Sequence, residues 1–112
     1  MTKNLTMSML MDFYGQLLTD KQRDTVDLYY NEDLSLSEIA EEIGISRQGV
    51  RDSIKRGEQL LNEYEEKLGL AGRFLEIRSR ISEMDKIIDT LEITGSAAEK
   101  LKQLSREVLN EL

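Results

Sequence analysis

Hydrophobic positions recur along the chain at the three- and four-residue intervals of α-helices, and no useful stretch shows the alternation of a β-strand. The pattern therefore predicts an all-α protein of five or six helices. The first helix is expected over residues 5–17. Its predicted apolar face consists of Leu10, Phe13, Tyr14 and Leu17.

Capping residues and glycines mark the expected helix ends, because the chain contains no proline. Thr19 and Ser35 are each followed three residues later by Gln or Glu, which is the capping-box pattern of a helix start. Gly44 is expected to end the third helix, and Ser46 is expected to cap the fourth. These signals predict a short third helix between two well-defined turns.

The longest helices are predicted in the second half of the chain. An apolar stripe with alternating steps of four and three runs from Val50 to Leu68, which predicts one helix over 47–68. The same register fails beyond Leu68, so a break is expected between Gly69 and Gly72. A new stripe then keeps its spacing over seven positions: Leu70, Phe74, Ile77, Ile81, Met84, Ile88 and Leu91.

A last helix is predicted after Gly95. Its apolar stripe consists of Ala97, Leu101, Leu104, Val108 and Leu112. The break in register divides the chain into a predicted helix-turn-helix domain, residues 1–69, and a C-terminal helical hairpin, residues 70–112. One short helix covers the long stripe poorly, which predicts that a second copy of the chain covers the rest. The expected homodimer interface consists of Phe74, Ile77, Ile81, Met84, Ile88 and Leu91.

Residues 36–55 meet several steric requirements of a helix-turn-helix together. Ala40 is small enough for two helices to approach closely. Gly44 lies four residues later, where the turn needs a residue that tolerates positive φ. Val50 lies six residues beyond Gly44 and packs the second helix back onto the first. Four isoleucines complete the expected core: Ile39, Ile43, Ile45 and Ile54.

The second helix of this motif has a polar face that suits nucleic acid, because a helix-turn-helix presents these turns to the major groove. Arg matches the acceptors of guanine and Gln matches the edge of adenine. Basic residues farther along the helix meet phosphates, as do backbone N–H groups at its start. The predicted nucleic-acid-binding residues are Ser46, Arg47, Gln48, Arg51, Lys55 and Arg56. The competing interpretation is a solvated, charged helix face.

Composition limits the chemistry. The 112 residues include no Cys and no His, which excludes thiolate zinc sites, Fe–S clusters, disulfides and histidine general bases. Paired carboxylates such as Glu65 and Glu66 are expected on the solvated surface, because adjacent helical residues point in different directions. No nucleophile arrangement or phosphate loop is found, so we expect no enzyme, no cofactor and no metal site.

The charge is −7 overall, which argues against a nonspecific nucleic-acid coat protein. Residues 1–34 carry −3, residues 35–57 carry 0 and residues 58–112 carry −4. All four basic residues of the middle segment follow Gly44, so the positive charge is concentrated on the predicted binding helix. No run of about 18 apolar residues is present, so we expect a cytoplasmic protein without a membrane segment.

The central motif also resembles a known one. The segment LSEIAEEIGISRQGVR, residues 36–51, resembles the region-4-type helix-turn-helix of bacterial sigma factors, and LTDKQR at 18–23 with LYY at 28–30 resembles the helix before it. The segments SRQGVRDSIKR and LLNEYEEKLGL, with the chain length and the Met-rich N-terminus, are similar to the YlxM family of small Gram-positive bacterial proteins. The resemblance covers nearly all of residues 5–92. It implies an all-helical DNA-binding regulator that takes part in the signal recognition particle pathway.

Two functions remain open at this point. The first is a dimeric, sequence-specific DNA-binding regulator. The alternative is an interaction module that contacts the signal recognition particle GTPase or its RNA through the same basic face. RNA recognition of that kind would depend mostly on phosphates and shape, because an RNA duplex hides its base edges in a deep groove.

Overall fold

The computed structural model describes residues 6–90 and 95–112. These residues form no β-strand and six α-helices: α1 (Met7–Tyr14), α2 (Asp20–Tyr30), α3 (Leu36–Ile43), α4 (Arg47–Leu68), α5 (Leu70–Thr90) and α6 (Ser96–Glu111). The predicted all-α class is confirmed. The chain divides into two compact units, Met1–Gly72 and Arg73–Leu112, and the division falls within α5.

Local capping starts the helices where the sequence predicts. The Thr19 hydroxyl accepts a hydrogen bond from the Gln22 N–H at 3.2 Å, and the Gln22 side chain accepts one from the Thr19 N–H at 3.0 Å. Ser35 and Glu38 form the same reciprocal pair, at 3.1 and 3.0 Å. Both capping boxes are confirmed. Each satisfies two N–H groups that the helix itself cannot bond.

The first helix is shorter than predicted. It ends at Tyr14, and a 3-10 turn over Gly15–Leu17 follows it. Leu10 and Tyr14 are buried, whereas Phe13 and Leu17 are 37% and 56% exposed. The predicted apolar face is therefore confirmed for Leu10 and Tyr14 and wrong for Phe13 and Leu17. The tighter 3-10 turn rotates Leu17 away from the face, and Phe13 lies at its edge.

Helix α4 is the central element of the first unit, and α1, α2 and α3 all pack against it. Helix α2 approaches it closely. A Cβ atom on Gly57 would lie only 2.7 Å from Cγ2 of Val26. Nearby in the same contact, the hydroxyl oxygens of Thr25 and Ser53 are 2.9 Å apart, and both residues are buried. The two helices can meet here because α4 presents a serine and a glycine.

Glu65 is buried, so the prediction that it is a solvated surface residue is wrong. Only 8% of the residue is exposed. The Tyr14 hydroxyl donates to its Oε1 at 2.5 Å, and the N–H groups of Ala71 and Gly72 donate to Oε1 and Oε2 at 3.0 Å each. The Tyr14 oxygen also accepts a hydrogen bond from the Leu70 N–H at 3.0 Å. These bonds satisfy the first N–H groups of α5, which have no partners within their own helix.

The ionisation of this pair follows from its contacts. Burial by itself would raise the pKa of the Glu65 carboxyl. The hydrogen bonds from Tyr14 and from the N–H groups of Gly72 and Ala71 outweigh burial and hold that pKa below its ordinary value of 4.5. Burial, together with the bond to Glu65, raises the pKa of Tyr14 above 10.0. At neutral pH the pair is therefore a neutral phenol bound to a carboxylate.

The second unit leaves much of its apolar surface open. Among its described residues, 73–90 and 95–112, only Ala98 is buried. The α6 stripe is largely exposed at Leu101, Leu104 and Val108. An ion pair joins the two helices, with Lys102 Nζ 3.8 Å from Asp89 Oδ1. None of the helices in the described ranges is long and apolar enough to cross a membrane.

The substitution Gly57→Ala is expected to destabilise the protein, although alanine is the better helix former. Its methyl group would collide with Val26 in a buried contact, at a cost of roughly 1–3 kcal/mol. The gain in helix propensity is about 1 kcal/mol. Urea unfolding followed by circular dichroism measures the difference.

A Val26→Ala background provides the control, because it removes the methyl group that collides. There, Gly57→Ala is expected to stabilise the protein by up to about 1 kcal/mol. Equal destabilisation in both backgrounds would contradict the close approach of α2 and α4.

The substitution Glu65→Gln is expected to destabilise the protein at neutral pH by about 1–3 kcal/mol, since an amide NH2 would face a backbone or hydroxyl donor. A lowered native pKa means that the contribution of Glu65 is complete above pH 4.5 and is lost as the pH falls through the native pKa. Unfolding free energies of the two proteins should therefore converge in acid. Glu66→Gln, at an exposed neighbour, should resemble wild type throughout. A Glu65→Gln deficit that stays constant from neutral pH into acid would refute this role.

Candidate nucleic-acid interface

Helices α3 and α4 and the turn between them form the predicted helix-turn-helix. Gly44 ends α3 with φ 82° and ψ 34°, a left-handed conformation that disfavours residues with a Cβ atom. The N–H groups of Gly44 and Ile45 both donate to the Ala40 carbonyl, at 2.9 and 3.2 Å. The Ser46 hydroxyl then accepts a hydrogen bond from the Gly49 N–H at 3.0 Å and starts α4. Local bonds thus fix the direction in which α4 leaves the turn.

A small apolar core holds one side of α4 in this motif. Its buried members are Ile39, Val50 and Ile54. Partly buried side chains from α2, α3 and the connecting segments surround them: Leu28, Leu34, Leu36, Ala40, Ile43 and Ile45. The predicted core is confirmed. Because Val50 and Ile54 point inward, the residues on the other side of the same turns face solvent.

The six predicted binding residues are all exposed: Ser46, Arg47, Gln48, Arg51, Lys55 and Arg56. Three of them, Arg47, Gln48 and Arg51, line one shallow cavity of about 340 Å³. In the part of the chain that the structure describes, none of the four basic residues of this face forms an ion pair with a carboxylate. Their charges are therefore available to a partner. We call this surface the α4 basic face.

One acidic residue lies within the α4 basic face. The Gln48 side-chain amide donates from Nε2 to Oδ1 of Asp52 at 2.9 Å. This bond uses one of the two N–H donors of the Gln48 amide, so the other N–H and the carbonyl oxygen must serve any adenine edge, and Asp52 restricts how the amide can turn. Asp52 also places negative charge where DNA phosphates would approach.

The structure also has a groove beside the α4 basic face, which the sequence did not predict. It encloses about 480 Å³ and is lined by Tyr29, Tyr30, Leu36, Arg51, Ile54, Lys55 and Glu58. The rings of Tyr29 and Tyr30 stand edge to face with centroids 5.0 Å apart, and each residue is 39% exposed. Arg51 lines both this groove and the shallow cavity.

One tyrosine of the groove is anchored to α4. The Tyr30 hydroxyl donates to Oε2 of Glu58 at 2.9 Å. Burial, followed by this bond, raises the pKa of Tyr30 to about 12, so the hydroxyl remains protonated. The sequence shows the tyrosine pair but gives no signal that it meets α4, because that contact joins residues 28 positions apart.

The predicted dimer residues lie on α5. Ile77 and Met84 are 38% and 54% exposed, and Phe74, Ile81 and Ile88 are half-buried. The remaining predicted interface residue, at position 91, is outside the described residues. Within the described ranges, no group of three or more acidic residues has the arrangement of a metal site.

Comparison with known proteins agrees with this geometry. A family model described as "Putative helix-turn-helix protein, YlxM / p13 like" matches residues 1–105. A UPF0122 protein of Acetivibrio thermocellus is 49% identical over 106 residues, covering 95% of this chain and 91% of the relative. A UPF0122 protein of Clostridium kluyveri is 44% identical over the full length of both chains. Another, from Bacillus cereus, is 47% identical over 91% of this chain and 90% of its own length. The chain therefore belongs to the UPF0122 family of YlxM/p13-like helix-turn-helix proteins.

Proposed function

We propose that this protein is a DNA-binding regulator that places the first turns of α4 in the major groove. The observation that carries the proposal is the joint exposure of Arg47, Gln48 and Arg51, which line one cavity on the same turns of α4 that the buried Val50 and Ile54 anchor to the core. Arg47 and Arg51 are one helical turn apart, so both point from the same side of α4. A helix held rigidly by its other side presents these groups to base edges.

Phosphate contacts would come from both ends of the α4 basic face. Lys55 and Arg56 lie one to two turns beyond the base-reading residues and suit the DNA backbone. At the start of α4, the Ser46 hydroxyl bonds the Gly49 N–H, and the N–H groups of Arg47 and Gln48 point toward the helix N-terminus, where a phosphate oxygen binds well. With so few charges, the slope of log affinity against log salt should be about −2 to −4.

The hydrogen bond between Gln48 and Asp52 favours a second candidate function. In that case the face acts as an interaction module for the signal recognition particle GTPase or its RNA. Arg51 and Lys55 lie beside the exposed tyrosines of the groove. Positive charge next to aromatic surface suits an acidic protein segment, and it also suits RNA bases and phosphates.

We further propose that residues 70–112 act as a dimerisation appendage. The exposed apolar side chains of α5 support this, since a helix with such a face is stable in water only when the face is covered. A dimer would present two copies of the α4 basic face, which is how many helix-turn-helix proteins bind paired half-sites.

The substitution Arg51→Ala is expected to weaken binding to cognate DNA about 5- to 150-fold, corresponding to about 1–3 kcal/mol for a residue that contacts a base. Fluorescence anisotropy at about 150 mM salt would compare three probes: DNA from upstream of the protein's own operon, random DNA of equal length, and signal recognition particle RNA. The operon DNA should bind most tightly, and Arg51→Ala should reduce its advantage over random DNA.

Lys67→Ala is the matched control, because it removes one exposed positive charge from the far end of α4. It should change affinity by no more than about twofold. Equal wild-type affinity for both DNA probes, or equal losses in the two variants, would rule out specific DNA reading through Arg51. Binding of the RNA alone would establish the second candidate.

The dimer has its own test in the substitution Ile81→Glu. Sedimentation velocity at tens of micromolar should show a wild-type dimer and an Ile81→Glu monomer, because the new charge would be buried in the interface. Ser79→Glu adds the same charge on the opposite side of α5 and should leave the dimer intact. Sedimentation of the wild-type chain as a monomer would overturn the proposed dimer.

A further inference from the structure

The second unit has too little core to be stable by itself. Ala98 is the one buried residue among positions 73–90 and 95–112. Six large apolar side chains of these helices are between 38% and 55% exposed: Ile77, Met84, Ile87, Leu101, Leu104 and Val108. A unit of about 40 residues rarely folds without a sizeable core or a partner. The exposed face of α5 therefore needs an occupant.

The charge pattern of α5 points to a second copy of the same helix. From Arg73 to Thr90 the helix carries eight charged residues, four basic and four acidic. They form four pairs of opposite sign at nearly equal distances on either side of Ile81 and Ser82: Arg80 with Glu83, Arg78 with Asp85, Glu76 with Lys86, and Arg73 with Asp89. Reversing the direction of the helix thus exchanges positive for negative charge at every pair.

The apolar positions are symmetric about the same point of α5, and each of them is matched by another apolar residue. Ile81 lies at the centre, and the flanking apolar residues of the same stripe match across it: Ile77 with Met84, and Phe74 with Ile88. Two such helices side by side in opposite directions place Ile77 near the partner's Met84, and they bring Arg80 and Arg78 to the same flanks as the partner's Glu83 and Asp85. Two parallel helices would instead place each charge beside its own copy, which is repulsive.

We propose that α5 pairs with α5 of a second copy in an antiparallel arrangement, across a two-fold axis close to Ile81. This inference rests on the dimer in the proposed function and adds its geometry. A two-fold interface is self-complementary, so a residue before the axis meets one after it, and each such contact occurs twice. The pattern of α5 has the symmetry that this interface requires.

The pair nearest the axis is suitably placed to act between chains. Arg80 and Glu83 are both exposed. Arg80 lies three residues after Ile77 and four before Met84, so it is on their side of α5, and Glu83 lies one turn farther along on the flank next to Arg80. Within its own helix, Arg80 makes only a long contact with Glu76, at 4.0 Å, and both of those side chains are mostly exposed. Arg80 can therefore turn to the partner's Glu83 at little cost.

Cysteine cross-linking tests the direction of pairing. The natural chain has no Cys, so one introduced cysteine is its only thiol. In the antiparallel dimer, Ile81→Cys should form a disulfide with its own copy on mild oxidation, as seen on non-reducing electrophoresis. Ile77→Cys should not, because its two copies would be separated by about 12 Å along the axis, beyond the reach of a disulfide.

Mixing and control variants complete the cross-linking experiment. Ile77→Cys mixed with Met84→Cys should give a disulfide-linked heterodimer. Ser79→Cys, on the opposite side of α5, should give no cross-link. If Ile77→Cys and Ile88→Cys each form a disulfide with their own copies as readily as Ile81→Cys does, the helices pair in parallel and the proposal is wrong.

Charge exchange tests the same geometry without touching the apolar face. Arg80→Glu and Glu83→Arg should each weaken the dimer about 5- to 30-fold, because two contacts become repulsive. The double variant should return to near wild-type dimer affinity. A double variant as weak as either single variant would overturn the antiparallel pairing.

These readouts separate the two proposals. If the wild-type chain is a dimer but the cross-linking and charge-exchange results are negative, the antiparallel geometry is wrong and the proposed function is unaffected. A wild-type monomer rejects the proposed dimer. Failure of the DNA probes to bind alters neither dimer measurement, since both are made without nucleic acid.

Discussion

The contact between α2 and α4 at Gly57 is the constraint on which the rest of the first unit depends. Val26 occupies the space where a side chain at position 57 would lie. With that contact made, α4 cannot rotate about its axis, since Val50 and Ile54 point into the motif core at one end and Leu61 is buried toward the other. The outward direction of Arg47 and Gln48 in the α4 basic face is therefore set by a contact two to three turns away from them.

The buried carboxylate of Glu65 fixes the other end of α4. Removing a charge from water is costly unless donors replace the lost hydration. Here one phenol and two backbone N–H groups do so, and the N-terminal end of the α5 dipole adds favourable potential. Because the donors come from α1 and α5, a single side chain of α4 ties three helices together.

Local signals in the sequence were sufficient for the starts of α2, α3 and α4, for the ends of α3 and α4, and for the exposure of the α4 basic face. The capping boxes, Gly44 and the stripe from Val50 onward each act within one or two turns, so their residues could be recognised in a single pass. Glu65 could not, because its neighbour Glu66 suggests a solvated pair and its hydroxyl partner lies 51 positions earlier. The contact of Tyr30 with Glu58 was missed for the same reason, and Leu17 was misplaced because the 3-10 turn has no distinct composition.

The distribution of charge limits how the proposed DNA binding can work. Residues 45–57 carry four basic residues and one acidic residue, whereas the whole chain carries −7. Nonspecific affinity for DNA comes mainly from phosphate neutralisation, and the acidic remainder of this chain opposes it. Favourable free energy must then come from base contacts by Arg47, Gln48 and Arg51, multiplied by two if the chain is a dimer. A protein built this way would bind random DNA poorly, so the ratio of affinities between sequences is a better measure of its function than any single affinity.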